Sequence, residues 1–160
     1  MAAPFHRILS PSSLLLLLFL FSTSSASTFY EILTDYGLPQ GLFPDAVKEY
    51  SLSSDGDFVV ELYKPCYVLF TDLFHYEKTI TGKLEYGQIS NLSGIQVKKS
   101  FVWLGIDGIV AGPDGRALEF TVGFLSEKRP VGLFAEIPHC RSKPGTSCRG
   151  AESLSLISEV

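Results

Sequence analysis

Apolar residues in this chain recur at two periods, and the change falls near Val47. Before it, Phe29, Ile32, Leu33 and Tyr36 keep helical spacing, which puts all four on one face. Thr28 and Glu31 stand in capping-box register at the start of that helix. Gly37 sits where a glycine ends a helix, and Pro39 forbids continuation. Beyond Val47 the period is two. Val47 to Leu52 and Phe58 to Tyr63 flank Ser53-Ser54-Asp55-Gly56-Asp57, a hairpin signal, with Phe58, Val60 and Leu62 on one face. After Pro65, Cys66 to Phe70 resumes as strand. Ile80, Leu84 and Tyr86 suggest another, with Gly82 marking a bulge. Ile95 and Val97 alternate with Gln96 and Lys98. Phe101 to Val110 is apolar on both faces, which predicts a central strand. Gly112-Pro113-Asp114-Gly115 is the clearest turn, and Leu118, Phe120 and Val122 alternate after it. Val131 to Ile137 reads as a short strand or loop.

Short strands at near-even spacing, glycine turns and one opening helix predict a mainly β fold: a small antiparallel β-barrel or sandwich with one short N-terminal helix. Gly37 to Pro44 is a rigid apolar connector, read either as a packed linker or as a partner loop with Leu42 and Phe43 exposed. Asp72 to Glu77 is expected to be an exposed loop.

The first 26 residues change the picture from fold to destination. They contain His6 and Arg7 but no acidic residue, then the apolar run Leu14 to Phe21, then small residues ending at Ala26. This is the layout of a secretory signal peptide, and the run is much shorter than the roughly 20 residues that span a bilayer. Residues 27–140 then form one domain, and 141–160, polar and poor in bulky side chains, are expected to be a disordered tail. The net charge of −4 becomes one unit more negative when Arg7 leaves. Such a chain is not built to bind nucleic acid, whose recognition begins with cations on phosphates. Export leads to the extracellular space or cell wall, or to the vacuole, and the mature chain has no transmembrane anchor. Among Cys66, Cys140 and Cys148, the preferred disulfide is Cys66–Cys140, because both lie in or beside predicted structure; free buried thiols are the alternative. Asn91-Leu92-Ser93 is an N-glycosylation triplet beside Gly94, in an expected turn.

Taken together, these marks resemble a plant family catalogued as domain of unknown function 538. They are Tyr36-Gly37-Leu38-Pro39 to Pro44, Phe58-x-Val60-x-Leu62 followed by Cys66, Ile80-Thr81-Gly82, Leu92 to Val97, Trp103, Phe120 to Gly123, and Pro138-x-Cys140. The resemblance runs from Thr28 to Cys140. It implies a small secreted protein with one β-barrel-like domain, compared at fold level with the lipid-binding domains of bactericidal permeability-increasing proteins. It also supports the Cys66–Cys140 pair. It carries over no catalytic residues.

Candidate chemistry is sparse. There is no Gly-x-Ser-x-Gly elbow, and after removal of His6 only His75 and His139 remain as bases for an esterase-type reaction. Two histidines and one spare cysteine make a poor zinc site, and Asp55-Gly56-Asp57 offers too few oxygens for calcium. No metal or cofactor is expected. Twelve Phe, seven Tyr and one Trp remain as the lead. Phe101, Trp103, Phe120, Phe124 and Phe134 are the candidate lining of an apolar pocket inside the barrel, against the alternative of a filled core. The leading reading is a non-enzymatic module that binds a lipid or other apolar small molecule. The alternatives are an ester hydrolase and a protein-interaction module. Protein recovered from a secretory host is expected to have its N-terminus at Ser27, read by intact-mass measurement; a mass that retains residues 1–26 removes the leader reading.

Overall fold

The computed structural model describes residues 27–144; the predicted leader, Cys148 and tail residues 145–160 lie outside the described residues. Helix α1 (Phe29–Asp35) starts as its sequence dictates. Thr28 Oγ1 accepts from the Glu31 N–H at 3.3 Å, and the Thr28 N–H donates to Glu31 Oε2 at 2.8 Å. It ends in a Schellman turn: Leu38 N–H donates to Leu33 O and Gly37 N–H to Thr34 O, with Gly37 at φ +73°.

Among the described residues nine strands follow, all antiparallel, in a single sheet. They are β1 (Val47–Leu52), β2 (Asp57–Leu62), β3 (Cys66–Leu69), β4 (Leu73–Glu85), β5 (Gln88–Lys99), β6 (Val102–Gly105), β7 (Gly108–Ala111), β8 (Ala117–Val122) and β9 (Leu125–Pro130). The main order is β1-β2-β4-β5-β7-β8-β9, with β3 added to β4 and β6 to β5. The expected mainly β fold with one opening helix is therefore present. The sheet is sandwich-like and curls towards a barrel without closing.

The two long strands explain the curl. One half of β4 pairs with β2 (Asp57↔Lys83 to Glu61↔Thr79), and the other half pairs with β3 (Cys66↔Tyr76 to Leu69↔Leu73). Likewise β5 pairs with β7 near Ile89 and with β6 near Val97. Between these halves the β4–β5 register shifts twice, between Tyr76 and Thr81 and between Thr81 and Lys83. The second shift spans Gly82, where a bulge is expected from sequence. Bulges bend and twist the strands that carry them. On β5 the bend uses Asn91 at φ +49° and Gly94 at φ +98°; a Cβ on Gly94 would lie 2.6 Å from Thr79 O.

The concave face holds the core. Phe58, Val60, Leu62, Val68, Phe74, Tyr76, Ile80, Leu84, Ile95, Val97, Leu118, Phe120 and Val122 alternate inward and are buried. Helix α1 and the Gly37–Pro44 connector cover them. The Phe29 ring centroid lies 4.9 Å from Phe43 and 5.6 Å from Phe58, and Tyr76 Oη donates to Leu42 O at 2.9 Å. Burial pushes the Tyr76 phenol far up.

Several expectations need correction. Leu42 and Phe43 are buried, which bears out the packed-linker reading of the connector and overturns the alternative of a partner loop with both exposed. Asp72 to Glu77 is mostly strand β4, not a loop: Phe74 and Tyr76 point inward while His75 and Glu77 point out. Phe101 to Val110 is not a central strand. It divides into β6 and β7 around Ile106 and Asp107, and β6 lies at an edge with one partner. Asn91 lies within β5, exposed, not in a turn. Val131–Phe134 is a 3₁₀ turn. Arg141, assigned to the tail, pairs with Tyr67 through two backbone hydrogen bonds of 2.7 and 3.1 Å.

The connector is fitted so closely that a Cβ on Gly41 would lie 2.3 Å from both Phe134 O and Glu136 O. Gly41→Ala is expected to destabilise the fold by about 2 kcal/mol or more, measured by urea denaturation. Gly132→Ala, where nothing lies within 4 Å, is the matched control and should change stability little.

Candidate functional site

The five aromatics singled out from sequence do not share a pocket. Phe120 and Phe134 are buried with centroids 5.3 Å apart, and Phe74 and Phe70 complete their cluster. Phe101 and Phe124 stand fully out in solvent, on the β5–β6 and β8–β9 turns. Trp103 is half-buried on the outer face of β6. The physical reason is position: turn residues have no sheet face to pack on, so periodicity cannot assign them a side. Among the described residues, surface depressions are bordered by β1 and β2, by the β7–β8 turn with β8 and β9, by the start of α1 with β1, and by Gly37 with Tyr86; none of these is lined by any of the five aromatics. Among the described residues, no buried side-chain nitrogen or oxygen lacks a hydrogen-bond partner.

The structure brings other residues together instead, on the outer face of the arm formed by β3, β4, β5 and β6. Side chains there follow from register. Tyr67 is opposite His75, His75 opposite Gln96, and Lys98 opposite Trp103. Directly opposed residues put their side chains on one face. The Tyr67 and His75 rings lie 4.7 Å apart, and each lies 6.0 Å from Trp103. Lys98 Nζ is 5.9 Å from the Trp103 ring centroid, in cation–π range. Arg141 is the cross-strand partner of Tyr67 on its other side.

The rim of this arm carries an ion-pair network. Lys99 Nζ lies 2.8 Å from Asp72 and 2.7 Å from Glu127, and Arg129 pairs with the same two carboxylates. Burial opposes the Lys99 charge, but the hydrogen bonds to Asp72 and Glu127 outweigh it and hold the amine above its ordinary value. Strand β9, which the sequence pattern does not announce, supplies Glu127 and Arg129. Its alternation of half-buried charges with exposed polar residues leaves no apolar signal.

The Cys66–Cys140 disulfide is present, with Cα atoms 5.2 Å apart. It is reinforced by Asp45, whose Oδ1 accepts from the Cys140 N–H at 2.8 Å and whose Oδ2 lies 2.6 Å from His139 Nδ1. Partial burial alone would raise the Asp45 pKa, but these two partners outweigh it and lower it. A carboxylate on Nδ1 leaves Nε2 of His139 as an acid–base group. No hydroxyl or thiol hydrogen-bonds it among the described residues, and no group of three or more His, Cys, Asp or Glu that could hold a metal occurs there. His75 sits among aromatic rings, 4.7 Å from Tyr67 and 6.0 Å from Trp103.

No helix among the described residues is long and apolar enough to cross a membrane. Because the Asp45 pKa is depressed below its ordinary 3.8, its contribution to stability is present above that value and is lost as pH falls through the acid range. Asp45→Asn is therefore expected to flatten the acid limb of a stability–pH curve measured by urea unfolding; an unchanged slope removes Asp45 from the acid response.

Comparison with known proteins adds kinship. The chain is 29% identical over 101 residues to "Uncharacterized protein At5g01610" of Arabidopsis thaliana, an alignment covering 61% of this chain and 58% of that protein; the chain thus spans less than two thirds of its relative's length. A family model described as "Protein of unknown function, DUF538" matches residues 29–135. That match takes in α1, all nine strands and the closing 3₁₀ turn, and by it the chain belongs to the DUF538 family.

Proposed function

We propose that this chain is an exported, non-enzymatic binding module that takes a lipid or other amphipathic ligand on its surface. One observation carries the reading: Leu69, Phe101 and Val102 are 52, 96 and 57% exposed and lie at or beside the β3–β4 and β5–β6 turns, at the same end of the β3–β6 arm. The β3–β4 turn and the β5–β6 turn lie side by side there, since Lys99 pairs with Asp72 at that end. Grouped exposed apolar side chains mark interaction sites, whereas single ones do not. The interior is filled by Phe74, Phe120 and Phe134, so the ligand is met outside the barrel-like curl. Export through the secretory route, to the extracellular space, wall or vacuole, rests on the leader pattern, and the Cys66–Cys140 bond agrees with an oxidising compartment. Asn91, exposed on β5, is the proposed glycan acceptor.

A second reading, ester hydrolysis, is favoured by the Asp45–His139 pair. Loss of ester turnover in His139→Ala with retention in His75→Ala would support it. The binding reading is tested by vesicle co-sedimentation: Phe101→Asp is expected to reduce the bound fraction at least tenfold, because a charge replaces the apolar contact. Unchanged sedimentation of Phe101→Asp overturns this placement of the site.

A further inference from the structure

The same arm shows a gradient that goes beyond apolar exposure. Its end carries Phe101 on the β5–β6 turn and Val102, which stands opposite Lys99 on the face away from Trp103. One row back across the outer face come Leu69 opposite Leu73 and Lys98 opposite Trp103; extending the Phe74↔Val97 register by one position sets Leu73 beside Lys98. The next row is Arg141, Tyr67, His75 and Gln96. Residues two apart on a strand are separated by roughly 6.6 Å. Apolar tip, then tryptophan with lysine, then tyrosine with arginine and histidine thus follow one another within about two rows.

We propose that this end of the β3–β6 arm docks on the surface of an anionic lipid bilayer, with the tip at the acyl boundary, Trp103 and Tyr67 at headgroup depth, and Lys98 and Arg141 on lipid phosphates and carboxylates. The inference rests on the lipid reading above and names its partner. Charge complementarity selects the partner. The chain as a whole is acidic, yet the cations Lys98 and Arg141 are exposed on this face and enter no ion pair among those of the described residues. The acidic side chains nearest the tip, Asp72 and Glu127, are matched by Lys99 and Arg129, so they leave no net repulsion at the rim. Glu77 faces outward one row farther from the tip than His75. Aromatic rings with one polar edge favour the membrane–water boundary, and cations near an anionic leaflet are drawn to it.

The other exposed pair, Phe124 and Leu125, belongs to a different place. Gly123 N–H donates to Asp107 Oδ2, and Asp107 follows the far end of β6 from Phe101. Phe124 is therefore outside the docking surface and serves as its control.

The test is flotation of the disulfide-bonded chain, recovered from a secretory host, with two vesicle types: phosphatidylcholine alone, and phosphatidylcholine mixed with phosphatidylserine. The anionic vesicles are expected to bind roughly thirtyfold tighter, given two surface cations. Lys98→Glu with Arg141→Glu should remove that preference, and Phe124→Asp should leave it intact. Should the charge variant fail to fold, a salt titration of the unaltered chain decides instead, since screening must erase the preference. Equal binding to both vesicle types overturns this proposal and leaves the lipid reading standing. Binding to neither overturns both. A preference that survives salt, or that Phe124→Asp abolishes, overturns the assignment to this face.

Discussion

A curled sheet with one apolar face must be covered from outside itself, and everything else in this molecule follows from how that cover is made. The sheet does not close, so its concave side chains cannot satisfy one another completely. Phe29 and Leu33 of α1 and Leu38, Leu42 and Phe43 of the connector supply the missing apolar surface, all at 2% exposure or less. None of these segments could hold its shape alone: α1 is 7 residues long, below the length at which isolated helices persist. Cover and sheet are mutually dependent, which is why the connector tolerates no side chain at Gly41.

The remaining openings are tied at two places. At one, Asp45 receives the Cys140 backbone while the disulfide fixes the C-terminal segment to β3. At the other, the four-charge network draws β9 onto the start of β4 and the end of β5. Filling and tying leave the interior to Phe74, Phe120 and Phe134. The most exposed large side chains with apolar surface, Tyr86, Phe101 and Phe124, stand on turns, where no sheet face is available to pack on. The outer face of the β3–β6 arm then supplies rings and cations behind such a turn.

Legibility from sequence tracked the strength of local signals. The capping box at Thr28, the stop at Gly37, the Ser53–Asp57 hairpin and the inward alternation of Phe58, Val60 and Leu62 are all short-range features, and each stands in the structure as read. The misreadings share a cause. Phe101 to Val110 is apolar throughout, and an apolar run signals burial without saying how many strands share it. Asp72 to Glu77 reads as a loop from its polar residues, yet His75 and Glu77 are the solvent half of an alternation whose other half is Phe74 and Tyr76. Strand β9 sets Glu127 and Arg129 opposite the inward Phe120 and Leu118, so ion pairs with Asp72 and Lys99 anchor it where other strands use apolar residues.

The candidate site was the least legible part. Its members, Tyr67, His75, Lys98, Trp103 and Arg141, span 75 positions from first to last, and no spacing rule links them. By itself the sequence determined the elements with strong local signals: the helix and its caps, the turns at Ser53–Asp57 and Gly112–Gly115, the inward faces of β2 and β8, and the preferred cysteine pair. Only the tertiary structure decided where β4 and β5 bend, that the aromatic excess divides between a filled core and exposed turns, and which outward side chains become neighbours. The reason is that outward residues on a sheet are set side by side by strand register, and register depends on bulges and on pairing partners far away in the chain.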